Sequence, residues 1–571
     1  MGDDAALATT GPFARLDAEL HLRIFCLLDQ ADRLRCVLEV CKGWRTLRKD
    51  PALWRSVTLC APAFCGAGAL AFVAGARSPL PSPACVQKLT VDGKQSFGGK
   101  VMETLLTTLT HVTDASLHGR YLTPNLLALL AQPRDAQLKR LALGSSNTPH
   151  EAHAALLEVL SASPALKSLS LDTVMNADWL AATAAAASAA CGGEPPPLRE
   201  LLVDKGEGWG GYECGLHARA MAHLGALFPR LDTLAVASLR VMGDPGAAVW
   251  APLAALRTLR VRNLGDSPFE PRTTSSAQLL QLLRSLASAA PQLVTLELSR
   301  GEEGRDLHGE HAAVAQLVPS VGAGAGGVFA LRQLRVLKLS YVHISAADAD
   351  GADLPALREL CLLHCGAHAA AAAVALAAAA PALEYISLVG VIAVEQDGSA
   401  GPGVGALAAL AHGALRSLWL FVTTPNFPRT ARGTAAKAAA EAKAAKSLAR
   451  EIKGLAARKA LPSLRVLTFS AGHDQPMPQC FAAAHPWPLL QSLSMWSAAP
   501  DSVATCLAGL RAPALAKLTL PGIEAGVAKA KTRLGYPRPP TKGVMAAYEA
   551  LRTSGAAPML PPLRMQGATH A

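Results

Sequence analysis

Aromatic residues occupy only 5% of this 571-residue chain, and charged residues only 17%. So few rings exclude a fold built around large aromatic pockets, while 47 glycines and 39 prolines favour many short helices and turns. Twelve cysteines are present, but none forms a CxxC pair, which points to small buried hydrophobes in a reducing compartment instead of a disulfide framework. The longest apolar run, residues 367–380, is mostly alanine and falls short of the roughly 20 strongly apolar residues that a spanning helix needs. It is expected to be a packed helix. Met1-Gly2-Asp3-Asp4 lacks the basic flank and apolar core of a signal peptide, and Ala6 stands where a myristoylation motif has Ser or Thr, so a place in the cytoplasm, the nucleus or both is expected. There is no G-x-S-x-G elbow, Walker loop or HExxH helix, and Gly322, Gly324, Gly326 and Gly327 are not followed by Lys-Ser/Thr, so neither catalysis nor a cofactor is expected.

Hydrophobic residues, by contrast, make up 51% of a chain too long for one compact core, which leaves several domains or a repeat array. The formal charge of +11 is concentrated near 432–460 and after 529. Lys437, Lys443, Lys446, Arg450, Lys453, Arg458 and Lys459 are spaced among alanines that favour a helix, with Glu441 and Glu451 opposing them. A run of this kind is ordinarily a solvated face, and nucleic-acid binding is not expected from it. Lys529, Lys531, Arg533, Arg538 and Lys542, mixed with Pro537, Pro539 and Pro540, read as a flexible tail.

Near the start, Leu16, Leu20, Ile24 and Leu27 recur at helical spacing on one stripe, and Leu22 and Phe25 on another. Asp32 opens a second helix with Leu34, Val37 and Leu38, and Val40-Cys41-Lys42-Gly43-Trp44 begins a third. Asp50-Pro51 reads as an N-cap and first helical position before Leu53-Trp54. Three helices this short cannot bury so much apolar surface among themselves. The excess must meet a partner or cap whatever follows.

From residue 54 a phrase recurs in which apolar residues stand first, fourth and sixth, the strand of a leucine-rich repeat. Clear copies begin at Leu138, Leu166, Leu198, Leu231, Leu256, Leu293, Leu334, Leu357, Leu383, Leu415, Leu464, Leu490 and Leu515, with weaker ones at Trp54, Val86 and Val112. Central positions such as Leu89, Ala115, Leu141 and Leu169 recur within the roughly 20–29 residues of such a repeat, and longer intervals must hold insertions or degenerate copies. Proline two residues before the phrase, as at Pro164, Pro229, Pro291, Pro355, Pro381, Pro462, Pro488 and Pro513, stops the preceding helix. Apolar stretches between copies, such as Leu156-Leu157-Glu158-Val159-Leu160, supply the helices. Cys361, His364, Cys365 and His368 include zinc-ligand types, but the phrase places Cys361 within a strand and Cys365 at a buried position just beyond it. No metal site is expected.

The order Leu16, acidic, Ile24-Phe25, Leu28, then Val40-Cys41-x-x-Trp44 and Leu53-Trp54 resembles the F-box motif, and with the repeats most of the chain resembles the F-box/leucine-rich-repeat family. Asp17 stands where that motif commonly has proline, and an aspartate there can cap the helix. The resemblance implies an α/β chain: a short three-helix F-box module at 13–60 after a flexible 1–12, then a curved solenoid at 61–525 with parallel strands concave and helices convex. A basic helical insert near 430–460 and a basic tail at 526–571 complete it. It further implies a non-catalytic subunit of a ubiquitin ligase, bound through a Skp-type adaptor to cullin and RING subunits and delivering a target protein for ubiquitination and proteasomal degradation. The adaptor surface would involve Leu16, Leu20, Ile24, Phe25, Leu28, Val40 and Trp44. The alternative is a protein-interaction scaffold whose first helices only cap the array. A target would meet the residues between and just after the leucines: Asp172, Asp204, Arg260, Arg262, Glu297 and Lys338, then Tyr385, Trp419, Phe421 and Trp496. No membrane association is expected.

Overall fold

The computed structural model describes residues 16–60 except 31, 34–43, 45–46 and 48; 67–172 except 76–77, 93–98, 119–122, 133, 136 and 145–149; 197–203; 215–240; 250–264; 284–299; 328–562 except 343, 345, 367, 393–405, 424–430, 458, 476–477, 483, 499–501, 521–522, 525–526 and 530–541; and 564–566. It forms two compact units, Met1–Ala237 and Ser238–Ala571.

The first unit opens with a helix, Ala18–Leu27, whose N-cap is Asp17: its carboxylate accepts from the Leu20 N–H at 2.7 Å, as the capping argument requires. Phe25, 1% exposed, meets the Trp44 ring edge-on at 4.7 Å, and His21 lies 5.8 Å from the same ring. Asp50 caps the short helix Pro51–Trp54 by accepting from the Ala52 N–H at 2.8 Å. Most of the expected second and third helices, with Val40, lies outside the described residues.

Strands β1 (Ser56–Cys60), β2 (Lys88–Asp92), β3 (Asp114–His118), β4 (Arg140–Gly144), β5 (Ser168–Asp172) and β6 (Glu200–Val203) follow. After the short β7 (Gly215–His217), β8 (Thr233–Arg240) pairs with β6. All the pairs from β1 to β6, and β6 with β8, are parallel. Register aligns Leu59, Val91, Leu117, Leu143, Leu171, Val203 and Val236 in one column, each at most 3% exposed. The weaker phrases at 54, 86 and 112 are therefore true repeats. On the edge of β1 turned away from β2, the Thr58 N–H donates to Gln30 Oε1 at 2.6 Å, and Arg33 donates to the Leu53 carbonyl. The first helices thus close an edge that would otherwise present unpaired backbone.

The second unit repeats the pattern with β9 (Thr258–Leu264), β10 (Thr295–Ser299), β11 (Val336–Ser340), β12 (Glu359–Leu363), β13 (Tyr385–Ile392), β14 (Ser417–Thr423), β15 (Val466–Gln475), β16 (Ser492–Ala498) and β17 (Lys517–Thr519), each parallel to the next. Its column runs from Val261 through Leu298, Leu339, Leu362, Leu388, Leu420 and Phe469 to Met495. The recurring prolines do more than end helices. In Ala290-Pro291-Gln292-Leu293, the Ala290 carbonyl accepts from the Leu293 N–H at 3.1 Å, and the same bond recurs at Phe228/Leu231, Ala380/Leu383 and Ala512/Leu515. Proline occupies the second position of a β-turn that aims each phrase into its strand.

The alanine-rich run forms the helix Ala369–Ala378, with Ala369, Ala370, Ala372, Ala373 and Leu376 buried. Among the described residues no helix is long and apolar enough to cross a membrane. The basic segment forms a helix over Ala431–Ala457 that packs on β14 and β15 through Ala444, Ala445, Leu448, Ile452 and Leu455, so it is a layer of the repeat structure and not an appendage to it. Most of the Lys- and Pro-containing segment read as flexible, residues 530–541, lies outside the described residues, but the basic tail at 526–571 also holds folded structure. Lys542–Thr553 is a helix with Val544, Ala547, Tyr548 and Leu551 buried, the Tyr548 hydroxyl donates to the Pro561 carbonyl at 2.8 Å, and the Ala512 N–H donates to the Ala556 carbonyl at 2.9 Å. Attention to Lys and Pro passed over an apolar stripe of helical period.

The residues just after β11 and β12 turn to positive φ, Tyr341 at 56° and His364 at 52°, and so does Gly390 at 74°, inside β13 where its register shifts between Val389 and Val391. The Tyr341 and His364 rings stack at 5.0 Å, and a Cβ on Gly390 would run into the His364 ring. Gly351, at φ 72°, has open space where its Cβ would stand. Both Gly→Ala changes should cost about 1–2 kcal/mol for the left-handed backbone. Gly390→Ala should cost more, and His364→Ala in that background should recover the difference, as read by denaturant unfolding. Equal losses at the two glycines would contradict this packing.

Candidate functional sites on the first helix and the open strand face

The first helix divides its apolar residues between two surroundings. His21 and Phe25 point inward, whereas Leu20 is 42% exposed, Ile24 36% and Leu27 87%. These three stand at i, i+4 and i+7, so they form one outward stripe beside the Glu19–Arg23 ion pair of 2.6 Å. Leu16, Leu28 and Trp44 are half-buried. Of the expected adaptor residues, then, Leu20 and Ile24 reach the surface, Phe25 and Trp44 build the interior, and Val40 is not described. Leu27 is more exposed than any of them. Its place on the Leu16/Leu20/Ile24 stripe was the signal that could have selected it.

The other site is the strand face opposite the buried leucines. In the second unit, Arg260 on β9 lies 3.3 Å from Glu297 on β10, and Lys338 on β11 lies 3.3 Å from Glu297 and 3.2 Å from Glu359 on β12. Burial works against the Lys338 ammonium, but the charges and hydrogen bonds of Glu297 and Glu359 outweigh it and raise its pKa. Beyond this row the face turns aromatic. Tyr385 on β13 lies 6.2 Å from Trp419 on β14, and Trp419 lies 6.3 Å from Phe421. Burial raises the Tyr385 phenol despite the opposing hydrogen bond to Ser387, so it is neutral near pH 7.

The structure brings Arg260, Glu297 and Lys338 together and separately gathers Tyr385, Trp419 and Phe421. Arg262 is exposed on β9, and Trp496 shares register with Ser470. Asp172 ends β5 of the first unit, while its side chain and all of Asp204 lie outside the described residues. Glu359, which completes the charged row, was not among the expected residues, although it holds the third place of its phrase just as Tyr385 does.

Among the described residues, no group of three His, Cys, Asp or Glu side chains is placed to hold a metal. Cys361 is 6% exposed in β12, and Cys365, 2% exposed, donates to the Leu339 carbonyl at 3.2 Å. Burial, helped by Glu359, pushes the Cys361 thiol up to about 12, and burial does the same to Cys365. At pH 8 both should therefore remain protonated and resist iodoacetamide until the chain is denatured, whereas the exposed Cys26 should alkylate, as peptide mass spectrometry can read.

Residues 15–60 match the family model described as F-box-like. No curated protein matches the chain. Among solved structures, the yeast Rad7–Elc1 complex aligns at 13% identity and a TM-score of 0.34, covering 75% of this chain and 80% of that one. The TLR13–ssRNA13 complex aligns at 15% identity and 0.34, covering 76% and 60%, and the Drosophila Toll–Spatzle complex at 11% and 0.30, covering 81% and 45%. The domain match and the in-register ladders together identify the chain as one that joins an F-box-like domain to leucine-rich repeats, the organisation of F-box/leucine-rich-repeat proteins.

Proposed function

We propose that this chain is the substrate-recognition subunit of a Skp–cullin–F-box ubiquitin ligase. The observation that carries the proposal is the outward stripe of Leu20, Ile24 and Leu27 on a helix whose other face is already packed. Burying each of these side chains is worth about 1.5–3 kcal/mol, and among the described residues of the domain nothing covers them, so a partner helix surface is the natural occupant. A Skp-type adaptor fits that role and would bring cullin and RING subunits with it. The repeats would hold a target protein on their open face, and the transfer chemistry would come from the partners, with this chain contributing proximity. Ubiquitination and proteasomal degradation of the target, in the cytoplasm or nucleus, would follow.

The capping alternative has its own support in the Gln30–Thr58 bond, which ties the first helices to β1, and in the Arg33–Leu53 bond to the short helix before it. The two roles use opposite sides of the module and are compatible. They separate on mutation. Ile24→Asp with Leu27→Asp should cut co-purification with a Skp-type adaptor by about tenfold or more while leaving thermal unfolding unchanged. Phe25→Ala, which opens the interior against Trp44, should instead lower stability by about 3–5 kcal/mol. Undiminished adaptor recovery by the folded double-aspartate variant would show that the adaptor does not bind on this stripe, and failure of the unaltered chain to recover an adaptor would leave capping as the sole role.

A further inference from the structure

The open face of the second unit changes chemistry partway along. From β9 to β12 its outward positions carry Arg260, Glu297, Lys338 and Glu359. Among the described side chains that alternate with the buried leucines from β13 to β16, Tyr385, Ser387, Val389, Ser417, Trp419, Phe421, Val466, Thr468, Ser470, Ser492 and Ser494, none is charged. The charges that precede this stretch are satisfied within the chain, since Glu297 and Glu359 both hold Lys338 and Glu297 also holds Arg260. A charged ligand segment lying on these residues would meet no counter-charge among them, and it would lose hydration against aromatic rings.

The aromatic part is built to hold something apolar. In the central row, Trp419 stands in register between Ser387 and Thr468, which are only 6% and 2% exposed. An indole flanked by two short, buried side chains rises above its neighbours, and Trp419 keeps 36% of its surface exposed. Tyr385 and Phe421 lean on it at interplanar angles of 52° and 40°, so the three rings make one contiguous patch and not a cage open around a cation. Large, stiff aromatic groups of this kind anchor peptides at small conformational cost.

We infer that the β13–β16 face binds an uncharged segment of the target whose apolar or aromatic side chain packs on Tyr385, Trp419 and Phe421. The inference rests on the reading of the open face as the target site, and it makes no use of the adaptor stripe.

An array of synthetic random peptides, including phosphoserine-containing members, probed with the full-length chain tests it. Binding should concentrate in uncharged peptides with an aromatic or large aliphatic residue. Trp419→Ala and Tyr385→Ala should each weaken that binding about tenfold or more. Ser417→Lys, which adds a charge beside Trp419 without removing a ring, should do the same and serves if the alanine variants fold poorly. Preference for acidic, basic or phosphorylated peptides would overturn the inference, as would an absence of bound peptides or binding unaffected by the three changes. Adaptor co-purification with the same protein preparations reports on the ligase reading independently, so failure of either proposal is visible by itself.

Discussion

Every strand of these repeats buries its leucines only because the next strand lies beside it in register. Columns such as Leu143–Leu171–Val203 and Leu339–Leu362–Leu388 are at most 3% exposed, although no single repeat has the material to enclose its own apolar row. Stability of this kind is borrowed from neighbours, so both the register and the ends matter. A one-residue slip would carry the leucines to the open face and the hydroxyls into the core. The proline turns guard against that by delivering each phrase to its strand at the same point.

The same dependence gives the F-box-like domain its inward role. Gln30 and Arg33 engage β1 and Leu53, and Trp54, 2% exposed, meets Phe72 edge-on at 5.7 Å. At the other end, the Lys542–Thr553 helix packs on the Val503–Leu507 helix, with Tyr548 fully buried. In each case an amphipathic helix covers what the adjacent repeat leaves open. The first helix differs in keeping a second apolar stripe after that task is done, and this surplus is what sets it apart from a simple cap.

The open face is free to vary because the leucines alone hold the ladder together. Ionic groups from β9 to β12 pair with one another, whereas β13 to β16 carry small hydroxyls around Trp419. The self-neutralised row contributes little as a set of ion pairs at partly exposed positions, but it leaves few charges for a ligand to address. The rings and hydroxyls of β13 and β14 stand opposite the buried leucine rows that stack the repeats.

Local chemistry was legible in the sequence wherever it acts over a few residues. Asp17 and Asp50 cap the helices they precede, prolines such as Pro291 and Pro381 set the turns, and the spacing of Leu337 and Leu339 defines a strand, because each depends on backbone geometry within its own segment. Contacts between segments were not legible. Phe25 and Leu27 are both apolar residues of one helix, and only the position of Trp44 decides that the first is 1% exposed and the second 87%. Likewise Glu359 and Lys338 become partners because β11 and β12 lie side by side, and Trp419 stands clear because Ser387 and Thr468 flank it from other strands. The sequence by itself determined that this chain is a ladder of leucine-rich strands behind an F-box-like domain. The tertiary structure decided which surfaces the ladder leaves for partners, since exposure belongs to a residue's neighbours as much as to the residue.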